Sequence, residues 1–234
     1  MIKDILHMKQ FISAIPVLLA VVYAGQAQAV TFAEISDAGD NLNTAQVIPS
    51  GAFSLDSISG NLFENDADLF QIFLTGNQTF SATTRNAQTE QIPIDDLLGI
   101  PTELVADPQL FLFDSAGRGV YANDDSFGSL QPTLSSLGFS PSEAGIYYLA
   151  ISSSGYNPVS NGTKIFSEAL SGEVIPNSSS FVVTDFVGAS TTNGRYEIAL
   201  SGAKAVPEPT SILGILSLGA WGIVKRLKNK INQK

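Results

Sequence analysis

The residues of this chain that could do chemistry are almost all oxygen donors. Two acidic clusters stand at the edges of apolar runs. Glu64-Asn65-Asp66-Ala67-Asp68 immediately precedes Leu69-Phe70-Gln71-Ile72-Phe73-Leu74. Asn123-Asp124-Asp125 follows Val120-Tyr121, which in turn follows Asp114-Ser115-Ala116-Gly117. Carboxylates held close together repel unless a proton or a cation intervenes. Calcium takes six to eight oxygens at about 2.3–2.6 Å and accepts Asn and backbone carbonyls beside carboxylates. Asp and Asn are also the ordinary residues of solvated turns. Spacing alone therefore leaves a cation site and a set of plain turns both open.

Other chemistries are excluded by composition. The chain has 234 residues, no cysteine and one histidine, His7, inside an N-terminal segment described below. The body from Val30 to Val206 thus has no Ser-His-Asp triad, no cysteine nucleophile and no His- or Cys-ligated metal. No nucleophile elbow, Walker A or dinucleotide fingerprint occurs. No catalytic residue is assigned, and the chain reads as a non-enzyme. Hydrolysis by a carboxylate pair stays open on composition. All but two of the 22 acidic residues lie in this body, with only five of the 12 basic ones. Such a surface attracts cations and argues against nucleic acid, which needs clustered Lys and Arg.

The elements that must position these acids read as all-β. Asp68–Leu74 alternates, with Phe70, Ile72 and Leu74 on one face and Leu69, Gln71 and Phe73 on the other. Leu110-Phe111-Leu112-Phe113 is continuously apolar, as expected of a central strand covered on both faces. A hairpin of Leu110–Asp114 with Gly119–Ala122 would carry Asn123-Asp124-Asp125 at its strand end. Gly145–Ser152 is the strongest strand, and Arg195–Ser201 alternates as a closing strand. Shorter extended pieces are expected at 44–48, 52–55, 57–62 and 79–84. Asn86–Ala106 and Ser153–Ser180 read as long loops, and no repeat of 20–50 residues is present. Many short strands with Gly, Asn and Ser turns predict a jelly-roll-like β-sandwich. Tyr147, Tyr148 and Tyr156 could stack on sugar rings, but strand aromatics mostly serve packing. The sequons at Asn77, Asn161 and Asn177 are read as chance matches.

Both ends read as processing signals. Lys3 and Lys9 open a basic start, Phe11–Tyr23 is apolar, and Ala27-Gln28-Ala29 places small residues where a signal peptidase reads. The first 29 residues are therefore predicted to be a signal peptide. At the other end Pro207-Glu208-Pro209 leads into an apolar run, Ile212–Val224, closed by Lys225, Arg226, Lys228 and Lys230. This predicts a short transmembrane helix over 211–227 with a cytoplasmic basic anchor. From Ser211 to Val224 it would rise about 21 Å, so snorkelling by Lys225 and Arg226 is expected to extend its reach.

The order Pro-Glu-Pro, apolar segment, basic cluster resembles the PEP-CTERM sorting tag. That resemblance implies export, a precursor tethered in the inner membrane, and removal of the tail by an exosortase-like membrane enzyme. The mature form would then sit at the cell surface or in an extracellular matrix. Between the ends, the chain resembles the bacterial pre-peptidase C-terminal (PPC) domain. The pieces are Asp66-Ala67-Asp68 with Phe70; Asp107-Pro108-Gln109-Leu110-Phe111-Leu112-Phe113-Asp114 with Gly117; Asn123-Asp124-Asp125; Gly145-Ile146-Tyr147-Tyr148; and Gly194-Arg195-Tyr196-Glu197-Ile198. The resemblance implies a β-sandwich, and some relatives bind calcium at loop carboxylates. Asp66, Asp68, Asp114, Asn123, Asp124 and Asp125 are then the candidate Ca²⁺ ligands, in one site or two.

The expected organisation is a signal peptide at 1–29, a lead-in at 30–56, a PPC-like sandwich at 57–204 and a sorting tail at 205–234. The expected function is that of an exported non-catalytic surface or matrix protein, with calcium as a candidate stabilising ion. Expected partners are signal peptidase, the secretion machinery, the exosortase-like enzyme, the inner membrane and extracellular polysaccharide. A calcium-dependent polysaccharide- or protein-binding module and a carboxylate-based glycan hydrolase are the alternatives.

Overall fold

The computed structural model describes residues 30–49, 54–85, 105, 107–126, 128–134, 139–167, 172–190 and 193–207. The signal-peptide segment, the tail from Glu208 onward and nearly all of the 86–106 insert lie outside the described residues. Every regular element among the described residues is a strand. Among them, no helix is long and apolar enough to cross a membrane.

Two large sheets stack. The first runs β1 (Val30–Ala33), β3 (Leu55–Leu62), β13 (Gly194–Ser201), β5 (Ser81–Thr84), β8 (Thr133–Leu134). The second runs β4 (Ala67–Leu74), β9 (Gly145–Ser153), β6 (Pro108–Phe113), β7 (Gly119–Asn123). Two short strands, β2 (Gln46–Val47) and β14 (Ala203–Lys204), share the outer edge of β4. A small third sheet, β11 (Thr163–Lys164), β10 (Tyr156–Ser160), β12 (Asp185–Gly188), covers the outer face of the second.

Alternation decides the faces. Phe70, Ile72 and Leu74 of β4 meet Leu110, Leu112, Leu149, Ile151 and Ile198 in the core between the two large sheets. Leu69 points the other way, towards Phe111, Phe113, Phe166 and Phe186 under the third sheet. All six residues of β6 are buried, as its unbroken apolar run predicts for a strand covered on both faces. The expected hairpin is present: β6 pairs antiparallel with β7, with Leu110 opposite Asn123.

Two regions differ from the sequence reading. The segment read as a lead-in contributes strands to both large sheets, β1 pairing parallel with β3 and β2 parallel with β4. The chain between them crosses the end of the sandwich, and Ala38 and Ile48 enter its core. Ser153–Ser180, read as a long loop, holds β10 and β11. Ser160 pairs with Thr163 around Asn161-Gly162, whose φ angles of 49° and 80° suit a two-residue hairpin. Pro158, unable to donate to a ladder, hides this strand from a propensity reading.

Candidate metal centre

The crossing segment and the start of β4 build the first acidic centre. Glu34 follows β1 directly. Asp37 accepts from the Gly39 amide at 2.9 Å, an Asx turn that folds the chain back. Asn41 Oδ1 then accepts from the Asn43 and Thr44 amides at 3.0 and 3.2 Å and holds the loop. The Gly39 carbonyl accepts from the Leu69 amide at 3.1 Å, docking the loop on β4. One carboxylate oxygen from each of Glu34, Asp37 and Asp68 lies within 4.8 Å of the others.

Asp68 is the unusual member. It shares the inward face of Phe70 and is fully buried. Among the described residues neither of its carboxylate oxygens sits in a well-formed hydrogen bond; the polar groups that reach towards it are the buried Tyr196 hydroxyl and the Glu34 carboxyl. Glu34 is better satisfied, accepting from the Ala38 amide at 2.9 Å and the Asn61 amide at 3.0 Å. Asp66 accepts from the Phe63 amide at 3.0 Å. Burial, then the charges of Glu34 and Asp66, push the Asp68 carboxyl up to about 9. Burial also raises Glu34 and Asp66. Gly60 makes the room: a Cβ there would collide with Glu34 Oε2 and the Tyr196 hydroxyl.

A second acidic centre lies at the same end of the second sheet, on its other face. Asp107 precedes β6, Asp124 and Asp125 follow β7, and one carboxylate oxygen from each lies within 4.8 Å of the others. Ser154, just past β9, hydrogen-bonds to both Asp107 and Asp124. Burial, then Asp107 and Asp125, push the Asp124 carboxyl up to about 7. Burial, then Asp125, raises Asp107.

Of the residues expected as ligands, Asp68 belongs to the first centre with Asp66 beside it, and Asp124 and Asp125 belong to the second. Asn123 points to the opposite face from Asp124, as alternation requires. Its amide nitrogen donates to the Thr133 carbonyl at 2.8 Å. Asp114 joins neither. Its Oδ1 accepts from the Ala116 and Arg118 amides at 2.9 Å each, and its Oδ2 from Arg118 Nε at 2.8 Å. Glu34, Asp37 and Asp107 were not among the ligands expected from sequence, although Asp107 opens one of the motif pieces quoted above. The first two needed the chain crossing to be known. Asp107 could have been found from its place three residues before Leu110, near a polar Gln109 at the mouth of an apolar strand. Pro207 is the last described residue of the sorting motif; Ala27, Ala29, Glu208, Pro209 and the basic anchor lie outside the described residues.

No protein-family model matches this chain, and no curated protein matches it.

Proposed function

We propose that this protein is an exported, non-catalytic surface or matrix module whose β-sandwich is completed by calcium at Glu34, Asp37 and Asp68. One observation carries the reading: a fully buried Asp68, neither of whose oxygens sits in a well-formed hydrogen bond among the described residues, facing two further carboxylates. A buried carboxylate needs a proton, a cation or donors. The donor set is oxygen only, which suits calcium and excludes soft-metal preferences. Bound there, the ion would tie the crossing segment to β4 and so hold two strands in different sheets.

The role as a module rather than an enzyme is supported by a body without His or Cys. Export rests on the N-terminal signal and the Pro-Glu-Pro tail, both read from sequence. Intact mass of the mature species, with and without the sorting enzyme, tests that part. A mass starting at Val30 and lacking the tail supports it; an unprocessed chain overturns it. For the cation, EDTA-treated mature protein is titrated with Ca²⁺ in a calorimeter. Binding that Asp68→Asn weakens at least tenfold is expected. Equal binding by wild type and variant overturns the assignment to this centre.

A further inference from the structure

The three carboxylates at the far side of β9 are not explained by the clamp at Asp68. Among the described residues, Asp107, Asp124 and Asp125 each keep a buried Oδ1 that no donor satisfies. Three mutually repelling acids are a poor reason for a chain to close, and acidic turns alone mean little. A further observation points to a ligand. Gln109, the first polar residue of β6, is only 5% exposed. Its side chain hydrogen-bonds to Asp124, yet its own Oε1 has no donor. A buried amide oxygen left bare costs about 1–3 kcal/mol. Four such oxygens, three from carboxylates and one from an amide, are the kind of ligand a hard cation takes.

We propose a second, independent calcium site formed by Asp107, Gln109, Asp124 and Asp125. The charges acting on Asp124 are those of Asp107 and Asp125, both negative, so the protein supplies the centre with repulsion that a divalent ion would reverse. The residues come from before β6, within β6 and after β7. Ser154, bonded to two of them, brings in the end of β9. The Asp125 carbonyl accepts from the Gly172 amide at 2.7 Å, adding the segment between β11 and β12. An ion here would staple three neighbouring strand ends on the face opposite Asp68. A shallow depression lined by Asp125, Ser126, Gly128, Ser129 and Leu130 lies beside Asp125.

The site does not depend on the Asp68 centre, and the test separates them. Ca²⁺ stoichiometry is measured by equilibrium dialysis on the mature protein, on Asp68→Asn, and on Asp68→Asn combined with Asp124→Asn. Two, one and no equivalents are expected. Asp68→Asn binding none, or the double variant still binding one, would overturn the proposal. Folding is controlled in EDTA, where Asp124→Asn removes repulsion and is expected to melt no lower than its parent. Should it melt lower, Asp68→Asn with Asp107→Asn decides: loss of the remaining equivalent supports the site, and its retention refutes it.

Discussion

The sharpest consequence of a buried carboxyl short of donors and beside two like charges is an inverted pH profile. In EDTA, Asp68 holds its proton up to about pH 9, against 3.8 for an unperturbed Asp. Between those values the unfolded chain binds fewer protons than the folded one, so stability falls as pH rises. The slope is about 1.4 kcal/mol per pH unit. From pH 5 to pH 8 that amounts to about 4 kcal/mol from this one group. Asp68 is fully buried, so solvent does not screen the effect. For a body of this size, 4 kcal/mol corresponds to roughly 8–16 °C in Tm. Asp124 adds a smaller loss of the same sign, complete near pH 7. Asp68→Asn isolates the contribution, because its amide cannot titrate and its NH₂ can donate to the acceptors around it. Thermal unfolding in EDTA at pH 5, 6, 7 and 8 should show wild type falling more steeply than Asp68→Asn by the amount above. With saturating Ca²⁺ the wild-type slope should flatten or reverse, because the ion replaces the proton. Parallel curves for the two proteins in EDTA would refute the account of Asp68 as a buried carboxyl held in its protonated form.

Further outcomes follow from the same geometry. Asp114→Asn should leave Ca²⁺ uptake unchanged while lowering stability by about 1 kcal/mol, since Asp114 serves the β6–β7 turn and Arg118; calorimetry and urea unfolding separate the two effects. Gly60→Ala should destabilise by about 1–3 kcal/mol and weaken Ca²⁺ binding at the first centre, because the added methyl displaces Glu34 and Tyr196. Gly162→Ala meets open space but keeps a φ of +80°, so a loss of about 1–2 kcal/mol without any change in Ca²⁺ binding is expected in chemical unfolding.

The parts of the fold legible in sequence were those where one strand's own pattern carries the information. β4 alternates, β6 is apolar throughout, and β9 and β13 are rich in aromatic and β-branched residues, so type and facing could be read locally. What stayed hidden depends on partners distant in the chain. β1 is four residues long, and β1 and β2 pair parallel with β3 and β4. Parallel pairing leaves no turn between partners to mark it in sequence. The Asn161-Gly162 hairpin did leave a local mark, but Pro158 and the surrounding Ser and Gly outweighed it.

The acidic centres were half legible for the same reason. Asp68 and Asp124 could be named because each abuts a strand whose alternation fixes where it points. Glu34 and Asp37 acquire a role only when the chain crosses from one sheet to the other, a fact of topology that no spacing records. Asp114 shows the converse: an acid in a suggestive position whose oxygens are both engaged by a residue four places on. What separates the two kinds of acid is donor supply. This body has five basic side chains, and the described ion pairs engage Arg118 with Asp114 and Arg85 with Glu197. Neither pair reaches a buried centre. A sequence that places acids at the mouths of its most apolar strands and its few bases elsewhere contradicts the usual agreement between pattern and packing. Such a conflict persists where something outside the chain resolves it, and for clustered oxygens short of donors a hard cation is the agent that fits.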